Sequence, residues 1–192
     1  LSPASASNAT EVIGAVGRSV TFRSHSTGGD AAFWTFGSEA IVTVLFENPP
    51  RLVFSEDKFK THFNVSEEGR ALSISQLRME DAGTYSVKIA GKISTFTLQV
   101  YRELAEPTVT CKAQNCSNGS CHFSLRCSTP GAGFGNVSYT WRGRDQPWRE
   151  GSVVPWVSIS SQDELEPLTC TARNPVSSRN VTVTTLGMLC AG

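Results

Sequence analysis

Cysteine is absent from the first 110 residues of this 192-residue chain, although six cysteines follow between Cys111 and Cys190. The first half must therefore fold without a disulfide, whereas the clustered cysteines of the second half predict disulfides and an oxidising compartment. The sequence also has no apolar run as long as a membrane helix and no cleavable signal. We therefore expect a mature ectodomain, at the cell surface or secreted, that meets a membrane only through an anchor outside this chain.

Net charge and catalytic motifs are lacking as well. Seventeen basic and seventeen acidic side chains give a formal net charge of zero, which argues against a nucleic-acid partner or a membrane-surface partner. The three histidines are scattered, and the sequence has no H-E-x-x-H motif, no G-x-S-x-G motif and no glycine-rich phosphate loop. We therefore predict that the protein is not an enzyme and has no cofactor, no bound metal and no small-molecule substrate.

Glycosylation sequons are frequent, by contrast. One Asn-x-Ser/Thr sequence is weak evidence, but six in so short a chain indicate a glycosylated extracellular protein. The predicted acceptors are Asn8, Asn64, Asn115, Asn118, Asn136 and Asn180. We expect Asn64, Asn136 and Asn180 to be occupied because each lies on or beside a predicted strand, on its solvent side. The two acceptors that flank Cys116 compete for space, so full occupancy of both is not expected.

The motif Asp81-x-Gly83-x-Tyr85 organises the first domain. At the corner between strands E and F of a variable-type immunoglobulin domain, such a tyrosine hydroxyl bonds back to the upstream backbone and the aspartate caps the turn. The alternative is a chance turn between two strands. However, Trp34 stands where strand C of this fold requires a buried indole, and a second domain follows. We therefore predict an all-β chain of two tandem immunoglobulin-like sandwiches, variable-type and then constant-type.

The variable-type domain is assigned to residues 1–101. Ser24 and Val87 stand where the disulfide between strands B and F normally lies, so burial alone must hold this core. Variable-type domains usually pair a basic residue of strand D with the corner aspartate. His62 stands at that place, with Lys60 as the alternative partner. The predicted core is Phe22, Trp34, Leu72, Ile74, Leu77 and Tyr85. The predicted strands are 11–16, 19–24, 31–36, 41–46, 52–54, 59–65, 72–77, 86–89 and 94–101, with a tight turn at residues 90–91.

Residues 102–107 (RELAEP) are predicted to form a short, stiff linker, and residues 108–192 a constant-type (C2) domain. Cys127, Trp141 and Cys170 follow one another in the order typical of a true immunoglobulin domain. This order predicts a Cys127–Cys170 disulfide. Leu168 replaces the corner tyrosine, so the disulfide must contribute more to stability here. The predicted strands are 108–112, 122–128, 137–142, 153–158, 168–173 and 181–185.

A partner surface is predicted on the C–C′–F–G sheet of the first domain. Strand C′ (IVTVLF) is apolar on both faces, and Phe33 points outward if Trp34 points inward. Exposed apolar patches of this kind mark interaction sites, although strand C″ or a glycan could instead cover the patch. We expect Phe33 to be the anchor and Lys88 to steer the partner. The predicted contact residues are Phe33, Thr35, Val42, Val44, Ser86, Lys88, Thr95 and Thr97, with Gln99 beside them.

The segments LRMEDAGTY, VYRELAEP and CTARNPVSSRN together resemble the ectodomains of the SLAM (signalling lymphocytic activation molecule) family. The resemblance implies an adhesion and co-signalling receptor, or its ligand, on immune cells. It also implies that like sheets of two first domains meet between opposing cells, homophilically or with another member, without a cofactor. A virus-encoded decoy with the same binding face is the alternative. Members often use the F–G loop in this contact, and the two-residue turn at Ala90-Gly91 departs from that pattern.

The resemblance also implies a disulfide between Cys121 and Cys190, from the start of strand B to the end of strand G. Cys111 and Cys116 depart from the usual family pattern, and we expect them to bond to each other. The spacing C-x4-C-x4-C-x5-C beside His122 is also compatible with a zinc site. The extracellular compartment and the immunoglobulin spacing favour disulfides.

Overall fold

The computed structural model describes residues 8–117, 120–143, 149–159, 167–184 and 190, with the backbone alone for residues 120 and 155–159. The chain divides into two compact units, Leu1–Tyr101 and Arg102–Gly192. Both units are built from β-strands that pair into two sheets each. Asn118, one of the predicted glycan acceptors, lies outside the described residues.

The first unit packs a six-stranded sheet, in the order β1-β9-β8-β3-β4-β5, against a three-stranded sheet in the order β2-β7-β6. Strand β3 has the bounds that the sequence predicts. The elements are β1 (Thr10–Ala15), β2 (Val20–Arg23), β3 (Ala31–Phe36), β4 (Glu39–Leu45), β5 (Arg51–Phe54), α1 (Asp57–His62), β6 (Phe63–Ser66), β7 (Ala71–Ile74), β8 (Gly83–Ile89) and β9 (Lys92–Tyr101).

The predicted strand over residues 59–65 is wrong in its first half, where the chain forms the helix α1 before β6 begins. Phe59 and Phe63 are four residues apart, the spacing that brings side chains together on a helix rather than along a strand. Their rings meet edge to face with centroids 5.6 Å apart. This aromatic contact joins the helix α1 to the first residue of β6.

The predicted core of the first unit is confirmed. Phe22, Trp34, Leu72, Ile74, Leu77 and Tyr85 are each no more than 1% exposed. The ring of Tyr85 stacks on Phe22 with centroids 4.7 Å apart and on Phe36 with centroids 4.5 Å apart. The indole nitrogen of Trp34 donates a hydrogen bond of 2.9 Å to the carbonyl of Gly69. A side chain at position 69 would lie 2.6 Å from Val44, so only glycine allows this approach.

The corner between β7 and β8 also has the predicted geometry. The Tyr85 hydroxyl donates to the Asp81 carbonyl at 2.6 Å, and the Arg78 amide donates to the Asp81 carboxylate at 2.9 Å. Nε2 of His62 lies 2.7 Å from the other carboxylate oxygen, so His62 is the basic partner, as predicted. Burial and, after it, the charge of Asp81 raise the pKa of Tyr85 well above its usual range.

The second unit pairs its strands in the orders β10-β11-β14 and β13-β12-β15-β16. The described strands are β10 (Thr108–Ser117), β11 (Ser120–Ser128), β12 (Ser138–Gly143), β13 (Arg149–Glu150), β14 (Val153–Ile159), β15 (Leu168–Asn174) and β16 (Ser177–Val183). Trp141 and Leu168 are buried in the core with the Cys127–Cys170 disulfide. Residues 102–107, predicted as a linker, form no strand and belong to this unit, where the Leu104 amide donates to the Ser177 hydroxyl at 2.8 Å.

One of the three predicted disulfides is confirmed and two are wrong. Cys127 bonds to Cys170 as expected, but Cys111 bonds to Cys190 and Cys116 to Cys121. The prediction ended the first strand of this unit at residue 112, whereas β10 continues to Ser117. Five residues of extended strand separate Cys111 from Cys116 by about 16 Å, which is too far for a disulfide. In the antiparallel register Cys116 lies directly opposite Cys121, with their Cα atoms 4.0 Å apart.

Candidate protein-binding face

The outer face of the six-stranded sheet carries one row of side chains that crosses five strands. The strand registers place Val53 beside Thr43, Thr43 beside Phe33, Phe33 beside Lys88, and Lys88 beside Ile93. We call these five residues the cross-strand row. At about 4.8 Å per strand spacing, the row extends about 19 Å across the sheet.

The cross-strand row is mainly apolar and open to solvent. Phe33 is 49% exposed, Val53 is 48% exposed and Ile93 is 66% exposed. Three of the five large exposed apolar side chains among the described residues thus lie on one line across one sheet. Exposed apolar side chains grouped on one face in this way indicate an interaction surface more strongly than scattered single residues do.

Two cations accompany the row. Lys88 is its fourth member and is exposed, and Arg51 is exposed on β5, two residues before Val53. Within the described part of the chain, neither side chain forms a salt bridge. Both are therefore available to carboxylates of a partner.

The orientation of the row follows from the strand alternation around Trp34. Trp34 is 1% exposed and points into the core, so Phe33 and Thr35 point outward, as predicted. Ser86 and Thr95 lie on the same face, and their hydroxyl oxygens are 3.4 Å apart. Thr97 and Gln99 alternate with buried Phe96, Leu98 and Val100, so they also point outward.

Val42 and Val44 do not belong to this face, and their prediction as contact residues is wrong. They are 2% and 0% exposed and pack in the core. The register of β3 against β4 shifts between Trp34 and Thr35, from Val42 to Ala40, and this bulge leaves Ile41 as the extra residue. Both Ile41 and Val42 therefore point inward, and the apolar character of β4 serves the core rather than a partner.

Thr43, Val53 and Ile93 are the members of the row that sequence reasoning missed. Thr43 is the only polar residue in the segment IVTVLF, and that polarity could have identified its outward position. Val53 could be assigned to the row only from the pairing of β4 with β5, which places it beside Thr43. Ile93 lies one residue before the predicted start of the last strand, which begins at Lys92 in the structure.

The turn beside the row is as tight as the sequence predicts. Ala90 and Gly91 connect β8 to β9 with φ angles of 51° and 77°. Two consecutive positive φ angles are typical of a type I′ hairpin turn, which matches the twist of the flanking strands. This connection therefore projects no long loop over the face.

No family model matches the chain. It is 31% identical to human SLAM family member 7 over 178 residues, which is 87% of this chain and 52% of the relative. It is 30% identical to SLAM family member 5 of Mus musculus over 179 residues, which is 89% of this chain and 53% of the relative. The chain thus spans about half the length of these relatives.

The solved structure of murine CEACAM1b matches with a TM-score of 0.67 at 16% identity, covering 92% of this chain and 98% of that chain. In the described parts of this chain, no helix is long and apolar enough to cross a membrane. The strand pairing and this likeness define the class of the protein as all-β, with two immunoglobulin-like sandwiches.

The chain belongs to the SLAM family and is a SLAM-family ectodomain. The resemblance that its motifs suggested is thereby confirmed. As a member of this family the chain is an extracellular ectodomain and not an enzyme.

Proposed function

We propose that this ectodomain serves an adhesion and co-signalling receptor, or its ligand, on immune cells. Its first unit is a variable-type domain that binds a SLAM-family ectodomain on another cell, either a second copy of this chain or a different member. Its second unit is a constant-type domain. The cross-strand row is the observation that carries this proposal, because it forms the apolar centre of an exposed sheet face.

The row has the anatomy of a recognition patch. Its apolar members lie among hydroxyl-bearing neighbours such as Thr35, Ser86 and Thr95, and an apolar centre within a polar rim is usual for protein interfaces. A half-exposed aromatic ring is also a good anchor, since aromatic side chains bury much surface at little conformational cost. We therefore assign the anchor to Phe33 and the steering of the partner to Lys88 and Arg51.

A binding screen of the soluble chain against itself and all SLAM-family ectodomains would identify the partner. Phe33→Ala should then weaken binding by more than about fivefold, the factor that corresponds to 1 kcal/mol, in surface plasmon resonance. The melting temperature should change little because the ring is outside the core. Ile13→Ala is a matched control, because Ile13 is 50% exposed on β1 of the same sheet but lies outside the row.

Equal affinities for wild type and Phe33→Ala would contradict the proposed face. Equal losses of affinity in Phe33→Ala and Ile13→Ala would show that the contact is not centred on the row. No binding to any family ectodomain would contradict the proposed class of partner.

A further inference from the structure

A second surface feature lies at the edge of the first unit, where β1 begins beside β9. It is a shallow cleft between the start of β1, the segment that follows β2 and the start of β9. Hydroxyl groups dominate its lining, together with three basic side chains, and no carboxylate is among the described residues that form it. The hydroxyl groups belong to Thr10, Ser26, Thr27, Ser94 and Thr95.

Asn8 is itself one of the residues that line this cleft. It is exposed and begins the sequon Asn8-Ala9-Thr10. Strand β1 runs parallel to β9 with Thr10 beside Phe96, the fifth residue of β9, which brings the residues just before β1 alongside the start of β9. A glycan attached to Asn8 therefore starts inside the cleft and does not need to reach it from elsewhere.

We propose that the cleft is the binding site of the N-linked glycan that Asn8 carries. The first sugar residues lie against the cleft, where their hydroxyl and acetamide groups exchange hydrogen bonds with the serine and threonine hydroxyls. Lys92 and His25 also line the cleft, and their side-chain nitrogens offer further hydrogen-bonding groups to the sugar. Arg23 lines the cleft as well, but its Nε already donates to Glu67 at 2.8 Å.

The bound glycan stabilises β1. This strand is at the edge of the six-stranded sheet, and among the described strands it pairs with β9 alone. Edge strands depend on such cover because one side of their backbone is unpaired. A carbohydrate that bridges the start of β1 to the start of β9 slows the local opening of this edge.

The test compares four forms of the chain produced in mammalian cells. They are the fully glycosylated protein, the protein trimmed by an endoglycosidase to one N-acetylglucosamine per site, the enzymatically deglycosylated protein and Asn8→Gln. Glycopeptide mass spectrometry measures the occupancy of Asn8. Hydrogen exchange measures the protection of β1 and of the first residues of β9.

We expect Asn8 to be occupied and the trimmed protein to keep the protection of the full glycan. Amide exchange in β1 should be about tenfold faster in the deglycosylated protein and in Asn8→Gln, because both lack the sugar at Asn8. The loss of one or two net hydrogen bonds corresponds to a factor of this size. Asn180→Gln, which removes a sequon of the second unit, should leave this exchange unchanged.

An unoccupied Asn8 would overturn the proposal, as would equal exchange in all four forms. Protection that is lost on trimming would place the stabilising contact in the outer sugars rather than in the cleft. Binding of a free acidic oligosaccharide, such as sialyllactose, to the cleft of Asn8-occupied protein would show that the cleft is open to a foreign glycan and would also overturn it. None of these outcomes depends on the partner of the cross-strand row.

Discussion

Replacing Tyr85 with phenylalanine should destabilise the first unit in a way that depends on pH. The substitution removes the hydroxyl that donates to the Asp81 carbonyl at 2.6 Å but keeps the ring between Phe22 and Phe36. A buried acceptor that loses its donor costs about 1–3 kcal/mol. For a domain of this size, the melting temperature at neutral pH should fall by about 5–15 °C.

The pH dependence follows from the raised pKa of Tyr85, which burial and then the charge of Asp81 produce. An unfolded tyrosine ionises near pH 10, whereas the folded form keeps its proton above that pH. The free energy of unfolding that the hydroxyl supplies is therefore fully present below about pH 10. It is lost as the pH rises further, by about 1.4 kcal/mol for each unit until the folded pKa is reached.

Urea titrations of wild type and Tyr85→Phe at a series of pH values would measure this effect. Because Tyr85 lies in the first unit, the unfolding transition whose midpoint differs between the two proteins is that of the first unit. The difference between the two proteins should be constant from pH 7 to about pH 9 and should shrink by about 1.4 kcal/mol at pH 11. Lysine deprotonation occurs in both proteins and cancels in the difference. A difference that stays constant up to pH 11 would refute the argument that the folded state holds this phenolic proton.

The remaining predictions concern the disulfides and the corner. Non-reducing peptide mapping should recover Cys111 linked to Cys190 and Cys116 linked to Cys121, and a Cys111–Cys116 peptide would contradict the structure. Replacing Cys116 and Cys121 with serine, which opens the bridge of sequence separation 5, should lower the free energy of unfolding by about 2 kcal/mol. Replacing Cys111 and Cys190, which opens the bridge of separation 79, should lower it by about 4.5 kcal/mol, and denaturant titration measures both. His62→Ala removes a partner 2.7 Å from a buried carboxylate, so thermal unfolding should reveal a loss of about 1–3 kcal/mol; an unchanged midpoint would mean that this contact contributes nothing.

Local patterns sufficed where a residue's environment depends on its nearest neighbours along the chain. The alternation around Trp34 predicted that Phe33 points outward, and the motif ending in Tyr85 predicted both hydrogen bonds of the corner. The two-residue turn at Ala90 likewise needs only the conformation of its own backbone. Each of these features is determined within one strand or one turn, so the sequence alone could specify it.

The errors arose where pairing between strands decides the outcome. The bulge at Ile41 depends on how β3 meets β4, and it turned Val44 from an expected contact residue into a core residue. The bridge from Cys116 depends on how far β10 extends before it turns back into β11. The helix before Phe63 was missed for another reason, because residues 59–65 were assigned to one strand although Phe59 and Phe63 have the four-residue spacing of a helix.

The uneven distribution of disulfides makes the two units separable by chemistry. All three bridges lie in the second unit. In the first unit, the buried side chains of Ser24 and Val87 stand where the disulfide normally lies, so a reductant has no bond to cleave there. Complete reduction should therefore destabilise the second unit and leave the first unit, which contains no cysteine, unchanged. Antibodies raised against the whole ectodomain could be sorted by this treatment, since those that still bind afterwards recognise the half that carries Phe33. The same half could be produced in a bacterial cytosol, where the disulfides of the second unit would not form.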